Sequence, residues 1–313
     1  MKPIKPFEPV TSATVPSSPH GISQVKWDGV RVLAYFDKQH LKLFNRSLNE
    51  RTATYPELQE LPSLAQSVSF ILDGEIVSLN EKGEPSFHDV MRRDRLKKAN
   101  QIAKGVEMNP IFYMVFDVIL WDGKWVNDRP LIERLEILEE GLNQNKSIRI
   151  VHSHENGEQL FSVIKEKGME GIVWKDLNSS YVINGKSDSW KKVKNYQDIF
   201  ATVCGVTFRG NIINTFLLGL YDSNNQLRYI GSAGTGKLKN DEISRLSEMV
   251  TLVKQSTSPF LEFDPNRKDI VWLSPEIIVK VTYLEWTSDQ RLRQPVVQTI
   301  TDGDPKTCSF QQT

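Results

Sequence analysis

The six residues KWDGVR, at positions 26–31, lie between two runs that are typical of β-strands, residues 22–26 and 31–37. They place a lysine, an acid, a glycine and an arginine within one short connection. A lysine can act as a nucleophile when desolvation or neighbouring cations keep its amine neutral. The alternative, more frequent for such a stretch on its own, is an Asp-Gly turn between two paired strands.

Four further clusters of charged residues follow in order along the chain. ILDGE (71–75) and FYMVFD (112–117) place acids in apolar strands, and EGIVWK (170–175) has an acid before a strand. In WKKVK (190–194) the last two lysines alternate, so they share one face of a strand. Each cluster alone could be solvated surface charge. Together they predict a cleft in which metal ions and a phosphate chain balance the charges.

The elements around these clusters predict an α+β domain with antiparallel sheet up to residue 197. The first 20 residues carry five prolines and indicate an extended or irregular segment. The patterns predict helices over 129–142 and 157–167. They predict strands over 22–26, 31–37, 41–44, 68–79, 111–120 and 171–175, and the strand over 68–79 is expected to be broken at 73–75.

After residue 197 the pattern changes to short strands separated by Gly, Asn and Asp turns. Strands over 199–208, 212–222, 226–233, 276–286 and 294–300 surround one helix over 240–254. This arrangement predicts a small all-β barrel, such as an OB-fold, over residues 198–313.

Composition narrows the class of protein. Hydrophobic residues make up 39% and charged residues 25% of the 313, which is typical of globular domains. We find neither a secretory signal nor an apolar run of the ~18–20 residues that a membrane helix needs. Cys204 and Cys308 cannot form a disulfide framework or a four-cysteine zinc site, so a cytoplasmic location is expected. The net charge is zero, so any argument for nucleic acid must rest on particular residues.

The ordered clusters resemble the motifs of covalent nucleotidyltransferases, and specifically of the ATP-dependent DNA ligases. KWDGVR resembles motif I, LFNRS (43–47) motif Ia, ILDGE motif III, FYMVFD motif IIIa, EGIVWK motif IV and WKKVK motif V. YIGSAGTGK (229–237) and LEWTSDQRLRQP (284–295) resemble the OB domain of the compact bacterial ligases related to end-joining enzymes.

This resemblance implies a nucleotidyltransferase (adenylation) domain over 1–197, an OB-fold domain over 198–313, and ATP with Mg²⁺ or Mn²⁺ as cofactors. Lys26 would take AMP from ATP and pass it to the 5′-phosphate of nicked duplex DNA, which the 3′-hydroxyl then attacks. A monomer is implied, with DNA-repair or end-joining proteins as partners and no membrane. The resemblance implies that Lys26, Lys192 and Lys194 are catalytic. Nucleotide binding is implied for the same three lysines and for Gln24, Arg31, Arg46, Glu75 and Phe116. Metal binding is implied for Glu75 and Glu170, and Asp28 would orient Lys26 or the ribose.

The chain departs from the family pattern at two places. Gln24 stands where a glutamate usually reads the adenine amino group. Thr301, Gly303 and Asp304 stand where motif VI has Arg, Asp and Lys, with Lys306 as a substitute after a register slip. The alternatives that stay open are an RNA ligase or capping-type nucleotidyltransferase, and a degenerate nucleic-acid-binding homologue without catalysis.

Three other segments have two interpretations each. The basic run 92–98 indicates either a DNA contact or a solvated helix face. GSAGTGK (231–237) lacks the Ser or Thr that completes a P-loop, so we expect a glycine-rich barrel turn. His152 and His154 lack partner ligands in the sequence, which favours polar strand residues over a metal site.

Overall fold

The computed structural model describes residues 1–81, 83–210, 212–236, 238–263, 269–287 and 289–312. The chain forms two compact units, residues 1–195 and 196–313. The strands of the first unit are β1 (Glu8–Ser12), β2 (Gly21–Val25), β3 (Val30–Phe36), β4 (Leu41–Asn45), β5 (Phe70–Ser78), β6 (Ile111–Trp121), β7 (Lys124–Trp125), β8 (Ile148–Ile150), β9 (Gly171–Asp176) and β10 (Lys186–Lys194). Its helices are α1 (Leu61–Leu64), α2 (Phe87–Asp94), α3 (Ala99–Met108), α4 (Leu131–Gly141) and α5 (Gly157–Glu166), with short 3₁₀ turns at Thr52–Thr54 and Pro56–Glu60.

The first unit contains two sheets. A four-stranded sheet has the order β1-β10-β9-β2, and a six-stranded sheet has the order β4-β3-β5-β6-β7 with β8 beside β6. All neighbours are antiparallel except β1 with β10 and β6 with β8. Consecutive strands β2 and β3 lie in different sheets, so KWDGVR is the crossover between them. The alternative of a turn between two paired strands is therefore wrong.

The alternation of side chains gives each sheet one apolar face for a helix to cover. In the four-stranded sheet, Ile172 and Val193 are buried against Ile164 of α5. In the six-stranded sheet, Leu131, Leu135 and Leu138 of α4 join the core beneath β6. Burial of each such side chain contributes about 1.5–3 kcal/mol.

Several predicted elements differ from the structure. The proline-rich start contains β1, because its backbone pairs with the distant strand β10. The predicted break in ILDGE is absent within the described strand β5, which runs continuously from Phe70 to Ser78. Helices α2 and α3 were not predicted. The predicted helices at 129–142 and 157–167 are confirmed as α4 and α5, each slightly shorter.

The second unit is built from β11 (Gln197–Arg209), β12 (Ile212–Tyr221), β13 (Leu227–Gly234), β14 (Lys254–Gln255), β15 (Ile270–Tyr283), β16 (Glu285–Trp286), β17 (Leu292–Arg293), β18 (Val296–Thr301), helix α6 (Asn240–Leu252) and a 3₁₀ turn at Pro305–Thr307. Its sheet has the order β13-β12-β11-β15-β14, with β18 beside β15. Leu246 and Val250 of α6 pack into this core. Strand β15 begins at Ile270 rather than at 276 as predicted.

The two cysteines and the P-loop-like stretch belong to the second unit. Cys204 and Cys308 are free and buried, and burial raises the pKa of the Cys204 thiol to about 12. In the P-loop-like stretch, residues 231–234 belong to β13, whereas Lys237 lies outside the described residues.

In the described part of the chain, no helix is both long and apolar enough to cross a bilayer.

Candidate active site

Two glycines allow close backbone approaches around Lys26, one in the crossover at residues 26–29 and one at the start of β9. A Cβ at Gly29 would collide with the carbonyl oxygen of Ile76 on β5. A Cβ at Gly171 would collide with the carbonyl oxygen of Val193, and the φ of Gly171 is +148°. The backbone N–H of Lys26 donates to the carbonyl of Gly171 at 2.9 Å. The fold therefore places Lys26 beside the residue preceding Gly171, which is Glu170.

Glu170 is the centre of a charged cluster with two lysines. Its Oε2 contacts Lys26 Nζ at 2.5 Å and its Oε1 contacts Lys194 Nζ at 3.3 Å. Glu170 is 5% exposed, whereas Lys26 is 23% exposed. The amine of Lys26 thus remains accessible while a buried carboxylate fixes its position.

One face of the four-stranded sheet continues this site. Lys192, Val173 and Gln24 are cross-strand neighbours on β10, β9 and β2, so their side chains lie in one row. Partial burial lowers the pKa of Lys192, and the charges of Lys194 and Lys26 lower it further. This row carries a cation at one end and an amide at the other.

The opposite wall comes from the six-stranded sheet. Arg31 and Glu75 are cross-strand partners on β3 and β5. Burial raises the pKa of Glu75 to about 8, although Lys26 and Arg31 oppose the rise. Phe116 falls at a β-bulge, because Asp73 pairs with Asp117 but Gly74 pairs with Val115. A bulge re-aims a side chain, which explains how Phe116 reaches this wall.

These walls enclose a cavity of about 210 Å³ in the first unit. It is lined by Glu8, Pro9, Gln24, Val25, Lys26, Trp27, Arg31, Arg46, Glu75, Phe116, Val173, Lys175, Trp190 and Lys192. Seven of the predicted site residues line it, and Glu170 and Lys194 adjoin it through their contacts with Lys26. Their assigned roles stay predictions.

Two arginines of the site already have acidic partners. Arg31 makes a bidentate ion pair with the fully buried Asp73, with distances of 2.9 and 2.6 Å. Arg46 Nη2 contacts Glu8 Oε1 of β1 at 2.7 Å; the Arg46 side chain is largely exposed and that of Glu8 is half-buried. Arg31 is therefore fixed in place, whereas Arg46 can exchange its partner at low cost.

Sequence reasoning noted Lys175 as the last residue of EGIVWK but gave it no role in the site. Its side chain is buried, and its Nζ donates to the Phe116 carbonyl at 3.2 Å. The same Nζ lies 4.6 Å from the centre of the Phe116 ring and 4.0 Å from that of Trp190. Burial lowers the pKa of Lys175 to about 7. The alternation of β9 was a usable signal, since Lys175 shares the face of Val173.

Asp117 of FYMVFD and Arg93 of the basic run 92–98 form ion pairs within the fold. Asp117 and Arg134 form a bidentate pair, with both side chains fully buried. In the basic run 92–98, Arg93 is buried and contacts Glu57 at 2.6 Å, so it cannot form part of a DNA surface. The exposed members of that run are Arg92, Arg95, Lys97 and Lys98.

His154 and three residues at or near the motif VI positions have backbone roles in the fold. His154 pairs through its backbone with Ser23 of β2. Thr301 ends β18, and the Asp304 carboxylate accepts the backbone N–H of Lys306 at the start of a 3₁₀ turn. Asp304 and Lys306 thus contribute to a turn in the second unit.

Comparison with known proteins identifies the family to which this fold and site belong. Residues 5–194 match the family model of the ATP dependent DNA ligase domain, and residues 209–302 match that of the ATP dependent DNA ligase C terminal region. The chain therefore belongs to the family of ATP-dependent DNA ligases. It combines a nucleotidyltransferase fold with a C-terminal OB-fold, as expected from the sequence.

Individual relatives sharpen the comparison. The chain is 37% identical over 188 residues to the SPbeta prophage-derived DNA ligase-like protein LigB of Bacillus subtilis, covering 59% of this chain and 65% of that protein. It is 29% identical over 275 residues to the multifunctional non-homologous end joining DNA repair protein LigD of Mycobacterium tuberculosis, covering 86% of this chain and 34% of that protein. The chain thus spans about a third to two thirds of these relatives.

Solved structures agree with the fold. The ligase domain of M. tuberculosis LigD is 26% identical, with 98% of each chain covered and a TM-score of 0.54. A mycobacterial DNA ligase D complexed with ATP and MES is 25% identical, with 97% of each chain covered and a TM-score of 0.54.

Proposed function

We propose that this chain is an ATP-dependent DNA ligase that seals nicks in duplex DNA through a lysyl–AMP intermediate. The observation that carries the proposal is the accessible amine of Lys26, held by the buried Glu170 at the edge of the cavity. Family membership supports the same chemistry. The assignment of residues 1–197 to adenylation and 198–313 to an OB-fold domain is part of this proposal.

In the first step Lys26 Nζ attacks the α-phosphorus of ATP, an N–P bond forms and pyrophosphate leaves. The ammonium must lose its proton, and the Glu170 carboxylate is in contact to receive it. Lys192 faces the same cavity, where its charge stabilises the negative charge that develops on the phosphoryl oxygens. AMP then passes to the 5′-phosphate of the nick, and the 3′-hydroxyl displaces it.

The remaining cavity residues suit the nucleotide. Phe116 offers an aromatic face for the base. Gln24 presents an amide from the end of its row, and Arg46 is able to leave Glu8 for a ribose or phosphate oxygen.

The acids of the cavity fit a divalent cation as well. Burial holds Glu75 partly neutral near neutral pH, so a cation beside it would restore a carboxylate ligand. Glu170 already serves Lys26 and Lys194. Within the described residues no three His, Cys, Asp or Glu side chains form a metal cluster, so the remaining ligands would be phosphates and water, as Mg²⁺ prefers. When bound, Mg²⁺ or Mn²⁺ neutralises phosphate charge.

We propose nicked duplex DNA as the substrate, bound mainly through phosphates and therefore sensitive to salt. The relatives' names support DNA-repair or end-joining proteins as partners. We also propose that the protein is a monomer and acts in the cytoplasm.

The test is incubation with α-labelled ATP and Mg²⁺ followed by denaturing electrophoresis. Wild type should carry an acid-labile label, and Lys26→Ala and Lys26→Arg should carry none. The matched control is Lys191→Ala, on the opposite face of β10, which should label normally. Labelled protein should then seal a nicked duplex.

Absence of label with ATP would contradict the charging step. A pre-adenylylated nick then separates two outcomes: sealing would leave an enzyme of the last step only, and no sealing would favour a binding protein. Label from GTP alone would favour the capping-type alternative, and sealing of nicked RNA alone would favour an RNA ligase.

A further inference from the structure

The hydroxyl of Tyr181 links the start of the chain to an arginine of the cavity wall. Its Oη accepts the backbone N–H of Phe7 at 3.0 Å and donates to Asp73 Oδ2 at 2.6 Å. The Asp73 carboxylate in turn holds Arg31 through two hydrogen bonds, of 2.9 and 2.6 Å. Arg31 lines the cavity, whereas the side chains of Tyr181 and Asp73 are buried.

The chemistry of the neighbouring groups decides where the hydroxyl hydrogen of Tyr181 points. A backbone N–H and a guanidinium only donate, so Phe7 and Arg31 both use Tyr181 Oη as an acceptor, at 3.0 and 3.4 Å. A carboxylate only accepts, so the hydrogen of Tyr181 goes to Asp73. Burial, together with the charge of Asp73, raises the pKa of Tyr181, so the hydroxyl keeps this hydrogen.

The loop that carries Tyr181, residues 177–185 between β9 and β10, is anchored beside the hydroxyl. The backbone N–H of Tyr181 donates to the carbonyl of Asn127 at 2.7 Å. The ring of Tyr181 packs edge-on against Trp190 of β10, with ring centres 5.8 Å apart. The hydroxyl is therefore a fixed point against which the Asp73 carboxylate is held.

The orientation of Arg31 matters because its guanidinium meets other groups of the cavity wall. Its Cζ lies 5.2 Å from the centre of the Phe116 ring, and its cross-strand partner is Glu75. Asp73 occupies Nε and Nη2. Nη1 has no hydrogen-bond partner among the described residues and is not buried, so it is the nitrogen that can donate to a ligand in the cavity.

We infer that Tyr181 is a positioning residue, which acts through Asp73 to hold the Arg31 guanidinium in the orientation that binds the nucleotide. Without the hydroxyl, Asp73 would lose a hydrogen bond and could rotate together with Arg31. The N–H of Phe7 would also lose its acceptor, next to Glu8 of the cavity wall. The inference rests on the proposed function, since the nucleotide is the ATP of the charging step.

The experiment measures lysine labelling of wild type and Tyr181→Phe over a range of ATP concentrations. Phenylalanine keeps the ring and removes only the hydroxyl. The KM for ATP should rise about tenfold, the effect of one hydrogen bond to a charged group. The maximal rate should stay within about twofold of wild type, as expected when a binding contact is lost.

The KM separates positioning from a merely structural role of Tyr181. Partial unfolding of Tyr181→Phe would lower the amount of labelled protein, but the KM is a property of the folded molecules and would not change. The measurement therefore holds even where part of the variant is unfolded, a fraction that circular dichroism reports. An unchanged KM would overturn the inference.

Tyr35→Phe is the matched control, because it removes a hydroxyl that contacts the same N-terminal segment. Tyr35 Oη accepts the backbone N–H of Ile4 at 3.0 Å, and in the described part of the chain no hydrogen bond joins it to Asp73. The KM of this variant should equal that of wild type. Equal rises in the two variants would assign the effect to the N-terminal segment and overturn the inference.

A double-mutant cycle tests whether Tyr181 acts through Arg31. Arg31→Lys keeps the positive charge but cannot make the bidentate contact with Asp73. In that background Tyr181→Phe should raise the KM by less than about twofold, since the group that it positions is gone. An effect of the same size in both backgrounds would show that the hydroxyl acts independently of Arg31, which contradicts the inference.

Failure of the proposed function gives a different result. If wild type takes no label from ATP, the charging step fails, and equilibrium titration with ATP tests the inference instead. The readout is the fluorescence of Trp27 and Trp190 in the cavity wall. A dissociation constant at least about fivefold weaker in Tyr181→Phe than in Tyr35→Phe would support the positioning role. Equal constants, or no binding of ATP by wild type, would overturn it.

Discussion

Two buried acids of the first unit, Asp117 and Glu170, have opposite surroundings. Asp117 meets one arginine, Arg134, in a fully buried bidentate pair. The same guanidinium also donates to the carbonyls of Arg129 and Ser179, at 2.5 and 2.8 Å. Glu170 instead meets two lysines, and the accessible Lys26 is one of them.

The difference separates a structural pair from a reactive one. In the first, charge is balanced and each side chain is surrounded by protein. In the second, one carboxylate contacts two lysine amines, and the Lys26 amine faces a cavity where it can meet an anion. Both acids belong to motifs, FYMVFD and EGIVWK; the family resemblance gave a metal-binding role to Glu170 alone, and the residue pattern did not show that Asp117 would be neutralised by Arg134.

Removing one partner of the Asp117–Arg134 pair should lower the free energy of unfolding more than any other substitution considered. Asp117→Ala leaves Arg134 buried without its partner, so the free energy of unfolding should fall by about 3–5 kcal/mol. Urea denaturation followed by circular dichroism measures it. The double variant Asp117→Leu with Arg134→Leu should recover part of the loss. A loss below about 1 kcal/mol would mean that the pair is no more than a surface salt bridge.

The cations of the cavity wall should matter for the reaction rather than for folding. Lys192→Ala removes a cation from the cavity wall, so the labelling rate should fall by about 10²-fold with little change in stability. Lys191→Ala is the matched control, because Lys191 lies on the opposite face of the same strand, 5.6 Å from the Trp174 ring. Equal effects of the two variants on the labelling rate would show that Lys192 does not stabilise the developing charge.

Lys175 is an intermediate case, because it is a buried base near Asp117 that also lines the cavity. Its pKa is about 7 in the folded protein against an ordinary value of 10.5, so between these values the unfolded chain binds more protons. Stability from this group therefore rises as pH increases from 7 to 10.5, and the full cost of the buried charge applies below pH 7.

Lys175→Met removes that cost. The variant should be more stable than wild type by about 1–3 kcal/mol at pH 6, and the gain should shrink toward pH 10. Denaturation at several pH values measures both effects. A variant less stable than wild type at pH 6 would show that the contacts of Lys175 with Phe116 and Trp190 outweigh its desolvation.

The sequence predicted five of the charged residues that line the cavity, but not Glu8, Lys175 or the geometry of the site. Lys26, Glu75 and Lys192 could be found because they stand in ordered motifs. The pairing of Arg31 with Asp73 and the burial of Arg93 depend on contacts between elements distant in sequence. The bulge that aims Phe116 is a register shift between two strands, which local patterns do not encode.

The start of the chain gives the same lesson for the fold. Five prolines predict an irregular segment, and most of residues 1–20 has no regular structure. Strand β1 forms because its partner, β10, supplies hydrogen bonds from far along the chain. Through β1, Glu8 and Pro9 reach the cavity wall, so a site residue came from a stretch without a motif.

The central claim is that Lys26, and no other lysine of the cavity, becomes linked to AMP. Incubation with ATP and Mg²⁺, followed by proteolysis and mass spectrometry of the peptides, tests it directly. We predict an AMP adduct on the peptide that contains Lys26, lost in Lys26→Arg. An adduct on Lys175, Lys192 or Lys194 instead, or none on any peptide, would contradict the account.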